Sequence, residues 1–269
     1  MDYIARSQAI VERGLLSDRI EDRLAGIDLL ESALADPDFV FQPERPAVAA
    51  DQVAFPPRPF LVEPRQLPRR GMHTPSGLVA FLHAVAHIEF TAIALALDAA
   101  YRFDGLPDVF YRDWLGVAVD EARHFKAVRV RLNELGADYG DLPAHRGLWE
   151  LAEQTASHLL ARMALVPRFM EARGLDVTPA MIEKLKGLGD QKSIEILEMI
   201  LREEIGHVAL GSYWFRYAAE AAGESAEDAY FRLISQFIQG EVRGPFNTEA
   251  RRKAGFSDQE MQRLTGLAS

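Results

Sequence analysis

Apolar residues recur along this chain at intervals of three and four, the mark of helices with one buried face, and runs that alternate with period two are almost absent. An all-α class follows. Ser17 precedes a first amphipathic run through Ile20, Leu24, Ile27, Leu30 and Leu34, which stops at Asp36-Pro37. The pattern then breaks, because nine of the fourteen prolines lie between Asp36 and Pro75, including Pro56-Pro57-Arg58-Pro59. Such a density blocks regular helix and predicts an extended strap, with Phe39, Phe41, Phe55, Phe60 and Leu61 as the side chains that pack it on the body.

From Ser76, a plausible N-cap, helical periodicity returns in four long segments. The first, about Gly77 to Phe103, aligns Leu82, Val85, Ala86, Glu89, Ile93 and Ala96. The second starts after Pro107, aligns Val117, Ala118, Glu121, His124, Phe125, Val128 and Leu132, and ends at Gly136. A loop from Tyr139 to His145 leads to the third, about Leu148 to Arg173, closed by Gly174, with Leu160, Ala164, Pro167 and Glu171 on its stripe. A short helix capped by Thr178, with Pro179 in its first turn, ends by Gly187 or Gly189. The fourth, about Lys192 to Ala222, aligns Leu197, Ile200, Glu204, His207, Val208, Gly211 and Phe215. Two shorter helices follow, near Ala226 to Gly240 and Asp258 to Leu267. The reading divides the chain into N-terminal helices and strap (1–75), a four-helix bundle (76–222) and C-terminal helices (223–269).

Charged residues interrupt these apolar stripes in a repeated way. Asp120-Glu121-Ala122-Arg123-His124 and Glu203-Glu204-Ile205-Gly206-His207 both read acid, glutamate, then histidine three positions after the glutamate. Residues three apart stand on one helix face, so each Glu-x-x-His can offer a carboxylate and an imidazole to one cation. A lone Glu-x-x-His is commonplace on solvated helices. Here each copy lies on an apolar stripe and follows another stripe glutamate at nearly equal distance: Glu89 precedes Glu121 by 121 − 89 = 32 residues, and Glu171 precedes Glu204 by 204 − 171 = 33. Glu150 and Glu153 share the third helix, and the interval favours Glu171. Two Glu-x-x-His helices plus two helices with one Glu each is the ligand inventory of a carboxylate-bridged di-iron or di-manganese bundle. Burying four carboxylates without cations costs several kcal/mol each, which two metal ions would offset.

Composition narrows the metal. The chain has no cysteine, which excludes thiolate sites, iron–sulfur clusters and disulfides, so ligation is by nitrogen and oxygen; that suits iron or manganese better than zinc. A formal charge of −10 argues against a broad nucleic-acid surface, since phosphate binding needs a clustered basic face. The short basic clusters Arg65, Arg69, Arg70 and Arg251, Arg252, Lys253 read as solvated surface. With 48% hydrophobic residues the core is ample, no stretch resembles a secretion signal, and none approaches the roughly 18 uncharged apolar residues of a membrane span. A cytoplasmic protein without membrane contact is expected.

Several neighbours invite supporting roles. His83 and His87 share a face turned away from Glu89 and read as ordinary core or surface histidines. Asp120 and Glu203 could accept the outer N–H of a ligating imidazole or be solvated helix acids. Pro167, one turn before Glu171, frees the carbonyl of Met163 and can kink the third helix. Phe81, Phe90, Phe125, Phe169, Trp214 and Phe215 lie near the ligand levels as core or as cavity wall. No spacing singles out Tyr101, Tyr111 or Tyr217 as a redox phenol.

These residues resemble the ferritin-like superfamily of di-metal carboxylate proteins. More narrowly, His83-Ala-Val-Ala-His87-Ile-Glu89, Asp120-Glu-Ala-Arg-His124-Phe, Tyr139-Gly-Asp-Leu-Pro-Ala-His145-Arg-Gly-Leu-Trp149, Ala161-Arg-Met-Ala-Leu-Val-Pro167 and Glu203-Glu-Ile-Gly-His207-Val are similar to the bacterial domain of unknown function 455. The resemblance implies a ferritin-like four-helix bundle with additional terminal helices and the Pro-rich strap. It also implies two iron ions, or manganese or a mixed iron/manganese pair, held by Glu89, Glu121, His124, Glu171, Glu204 and His207. It implies no known reaction; a more distant similarity runs to di-iron monooxygenases that hydroxylate modified transfer RNA. The expected activity is oxidation or hydroxylation of a small molecule with dioxygen and an electron donor, with metal storage through a ferroxidase step as the alternative. The oligomeric state stays open, a dimer included.

Overall fold

The computed structural model describes residues 3–43, 48–67, 71–238 and 242–267. Helix dominates, and among the described residues the β pairing is confined to one parallel bridge between Leu61 and Ala144, so the all-α expectation is met. The backbone gathers into two compact units, Met1–Glu153 and Gln154–Ser269.

The first unit is built from α1 (Tyr3–Leu15), α2 (Ile20–Leu34), α3 (Pro75–Arg102) and α4 (Asp108–Glu134), with α5 (Gly147–Gln154) at its end. α3 packs along α4, α2 against α4, and α1 on α2 and α3. The cap of α3 is Thr74 and not Ser76: its side chain accepts from Gly77 N–H at 3.1 Å, and Pro75, whose missing N–H costs nothing there, takes the first helical position. α4 ends where Gly136 adopts φ +79°, which lets Ala137 N–H reach back to the Leu132 carbonyl at 3.1 Å. α3 is long and apolar enough to cross a membrane by length and composition, yet 61% of its apolar window is buried within the chain, as in a core helix.

The strap is tied to the helices mainly through its backbone. Arg23 donates to Ala54 O at 2.6 Å, Arg102 to Val48 O at 3.1 Å, Trp149 Nε1 to Ala50 O at 3.2 Å, and Arg112 to Phe39 O at 2.6 Å. Phe39 and Phe41 are buried as expected, but Phe60 and Leu61 are 63% and 41% exposed. Their stretch is held instead by Val62 N–H to Ala144 O at 2.8 Å and Ala144 N–H to Phe60 O at 3.0 Å, bonds that need no side-chain burial. Glu44 to Ala47 of the strap, together with Arg69 and Arg70, lie outside the described residues.

In the second unit the expected third helix is replaced by shorter pieces. α5 stops at Gln154, α6 (Leu159–Leu165) follows, and a π-helical segment, Val166–Glu171, joins it to α7 (Ala172–Leu188). Gly174 therefore does not end a helix, nor does Thr178 begin one. α7 passes through Pro179 because the Leu175 carbonyl, which Pro179 cannot serve, accepts from Asn247 Nδ2 at 3.1 Å. α7 closes on Gly189 at φ +71°, and the next residue, Asp190, caps α8 (Gln191–Ala221) by accepting from Ser193 N–H at 3.2 Å. α6, the π segment and α7 all pack on α8. α9 (Ala226–Phe237), α10 (Thr248–Lys253) and α11 (Asp258–Leu267) follow; the expected end of α9 at Gly240 lies outside the described residues. Of the second basic cluster, Arg251 is 3% exposed and paired with Asp176 at 2.7 Å, so it belongs to the core of this unit and not to its surface.

Candidate metal centre

α3 and α4 are apolar over most of their shared seam, and the exceptions fall at one level. Glu89 on α3, and Glu121 and His124 one turn apart on α4, retain 4%, 1% and 0% of their exposure. His124 Nδ1 lies 3.2 Å from Glu89 Oε2 and 3.3 Å from Glu121 Oε2. The three offer ligand atoms within 4.8 Å of one another, a cluster that could hold a metal ion. Burial opposes charge on His124, but the hydrogen bonds and charges of Glu121 and Glu89 outweigh it and raise the imidazole to about 11. A proton thus sits where two carboxylates demand positive charge, and the nitrogen that carries it is the one a cation would meet. Carboxylate oxygens with one imidazole are a donor set that suits a metal cation.

The second unit holds the other three predicted residues. Glu204 and His207, one turn apart on α8, are both buried, with His207 Nδ1 3.6 Å from Glu204 Oε1. Glu171 closes the π segment and is half-buried. Among the described residues these three do not form a ligand group as tight as the one in the first unit. The π turn rotates Glu171 relative to the plain α-helix that its stripe predicts, and such turns recur at functional positions. It is clamped from outside: Tyr230 Oη donates to Arg168 O at 3.2 Å, and the buried Arg168 side chain reaches Ser212 at 3.0 Å and Glu260 at 2.7 Å. α8 approaches it closely at Gly211, where an added Cβ would stand 2.6 Å from Pro167 Cβ.

The expected supporting residues divide. Asp120 pairs with Arg123 on the exposed side of α4, and Glu203 lies 3.6 Å from Arg202. Phe90 and Phe125 are fully buried with ring centroids 5.0 Å apart, and Trp214 and Phe215 are core. His83 and His87 point into a loop of the first unit that sequence reading left without a role, the run Tyr139 to His145. The only signal for it was the aromatic and histidine content of that loop.

A model of the family described as a protein of unknown function, DUF455, matches residues 16–262. The chain belongs to this family. A protein from Haemophilus influenzae, described as an uncharacterized protein, is 45% identical over 217 residues, covering 77% of this chain and 75% of its own length. No solved structure matches. The DUF455 match spans every residue of both Glu-x-x-His turns, the π segment and the loop from Tyr139 to His145.

Proposed function

We propose that this DUF455 protein is a di-metal carboxylate oxidoreductase of the ferritin-like class, with Glu89, Glu121 and His124 as one ligand set and Glu171, Glu204 and His207 as the other. The observation that supports it is the burial of Glu89, Glu121 and His124 with their ligand atoms inside 4.8 Å. Two carboxylates and an imidazole held this way cost several kcal/mol unless positive charge is supplied. Each half of the proposed ligand inventory is the same, two carboxylates and one imidazole. When bound, iron or manganese ions supply the redox equivalents and Lewis acidity that dioxygen chemistry requires.

The protein's own residues bind and shield. Phe90 and Phe125 exclude water from the level of Glu89 and His124. The packed α3–α4 seam sets where the carboxylates point, and the imidazole of His124 would give up its proton to hold a cation together with Glu89 and Glu121. The substrate is a small molecule oxidised or hydroxylated with dioxygen, with electrons from an external donor.

The decisive experiment is elemental analysis of protein purified without added metal, followed by dioxygen uptake of the iron-loaded protein. About two iron or manganese ions per chain and uptake without mineral growth support an oxidoreductase. Accumulating mineral identifies storage through a ferroxidase step, and metal without uptake identifies a structural centre. Absence of iron and manganese even after loading overturns the assignment.

A further inference from the structure

On the side of α3 that carries His83 and His87, six and two residues before Glu89, the first unit forms a partly open cavity of about 160 Å³. His83, His87 and His145 line it, and Leu67, Ala80, Leu142 and Leu148 form its apolar wall. The protonation of each ring is set by its partners. His83 Nε2 accepts from the backbone N–H of Gly140 at 3.0 Å and of Leu142 at 3.4 Å, so the hydrogen of the neutral ring is on Nδ1. His145 Nδ1 accepts from Gly147 N–H at 3.1 Å, which puts its hydrogen on Nε2. His87 uses both nitrogens: Nε2–H donates to the His145 carbonyl at 2.9 Å, and Nδ1 accepts from Tyr139 Oη at 3.0 Å. Burial lowers the proton affinity of His83, so its ring is neutral at pH 7.

These bonds decide what the cavity can take. A metal ion needs ring lone pairs, and all three imidazoles have theirs occupied by N–H or O–H donors. What the wall offers is the reverse, the N–H groups of His83 and His145, to which no described residue supplies an acceptor. His83 is 2% exposed, so its donor is available to little besides a molecule in the cavity. The ligand must therefore bring an acceptor atom and an apolar body. Its charge is constrained as well: Asp138 and Asp141 act on His83 from nearby, and the chain carries a net charge of −10, a field that disfavours an anion. The volume suits one small ring and excludes cofactor-sized molecules.

We propose that this cavity binds an uncharged single-ring compound through a carbonyl oxygen that accepts from the free N–H groups of His83 and His145. His87 is the strut: by holding the Tyr139 hydroxyl and the His145 carbonyl it fixes the loop that forms one wall. The assignment is independent of any metal chemistry of the chain.

The test uses the full chain and three probes of similar size, acetophenone, toluene and benzoate, followed by amide chemical shifts of Gly140, Leu142 and Leu148. Acetophenone should saturate with Kd of about 1 mM or tighter, ahead of both other probes. His145→Leu, at a half-buried position, should weaken acetophenone about three- to tenfold and leave toluene unchanged. Ala84→Phe, at an exposed lining position, should abolish binding of all three. Benzoate binding tighter than acetophenone, toluene matching it, or no saturable shift overturns the proposal, as does unchanged binding in Ala84→Phe. If His145→Leu does not fold, the ranking of the three probes on the unaltered chain still decides.

Discussion

Glu121 keeps 1% of its exposure and His124 none, surroundings in which neither charge is stable without the other. The pair is legible in sequence because three-residue spacing on an apolar stripe is a local property. Its meeting with Glu89 is not local, since the 32 residues between Glu89 and Glu121 say only that two helices can align there. At this scale the metal assignment makes a direct prediction. His124→Ala and Glu204→Ala each lose metal, read as falling equivalents per chain by elemental analysis, while helix content by circular dichroism stays near that of the parent. Two retained equivalents in either variant would contradict the ligand set. Glu171 was the residue least well defined by pattern, and its place on a π turn shows why: a stripe drawn at 3.6 residues per turn misplaces any residue beyond an extra-residue turn.

Among the elements, α3, α4 and α8 begin and end within a few residues of where their caps and periodicity put them, because Thr74, Gly136 and Asp190 act on adjacent backbone. The third helix misled because its breaks and continuations are tertiary. Pro179 reads as a helix start until Asn247, 68 positions later (247 − 179), supplies the donor for the Leu175 carbonyl. Asn247 also caps α10 by accepting from Ala250 N–H at 3.2 Å, so Asn247→Ala should destabilise the chain by about 1–3 kcal/mol in urea titration. Gly211→Ala, which sets a methyl group against Pro167, should cost about 1–3 kcal/mol and lower metal retention through the π segment. The loop from Tyr139 to His145 is a pH-sensitive element. In the folded chain His83 has lowered proton affinity, while in the opened loop it titrates near its ordinary pKa of about 6.5. Stability is therefore present above about pH 6.5 and lost as pH falls, because the open form binds the proton more tightly. Hydrogen-exchange protection of the Gly140 and Leu142 amides should fall between pH 7.5 and pH 5.5, and His83→Gln should flatten that dependence.

Taken as a whole molecule, a resident metal acts on stability by mass action: metal in roughly thousandfold excess over its Kd adds about 4 kcal/mol, or about 10 °C in Tm for a chain of this length. Stripping with a chelator should lower Tm by that order, and readdition of iron or manganese should restore it; an unchanged Tm would show that no tightly held cation supports the fold. The sequence by itself determined the all-α class, the extents of α3, α4 and α8 and the six chemically distinctive side chains, since periodicity, caps and i, i+3 spacing act over a turn or two of backbone. Only the tertiary structure decided that His124 stands between Glu89 and Glu121, that Arg251 is buried against Asp176, that Pro179 continues a helix, and that three imidazoles surround a cavity with their hydrogens assigned. Each of these depends on a partner dozens of residues away, and in one dimension nothing distinguishes a buried partner from a solvated one.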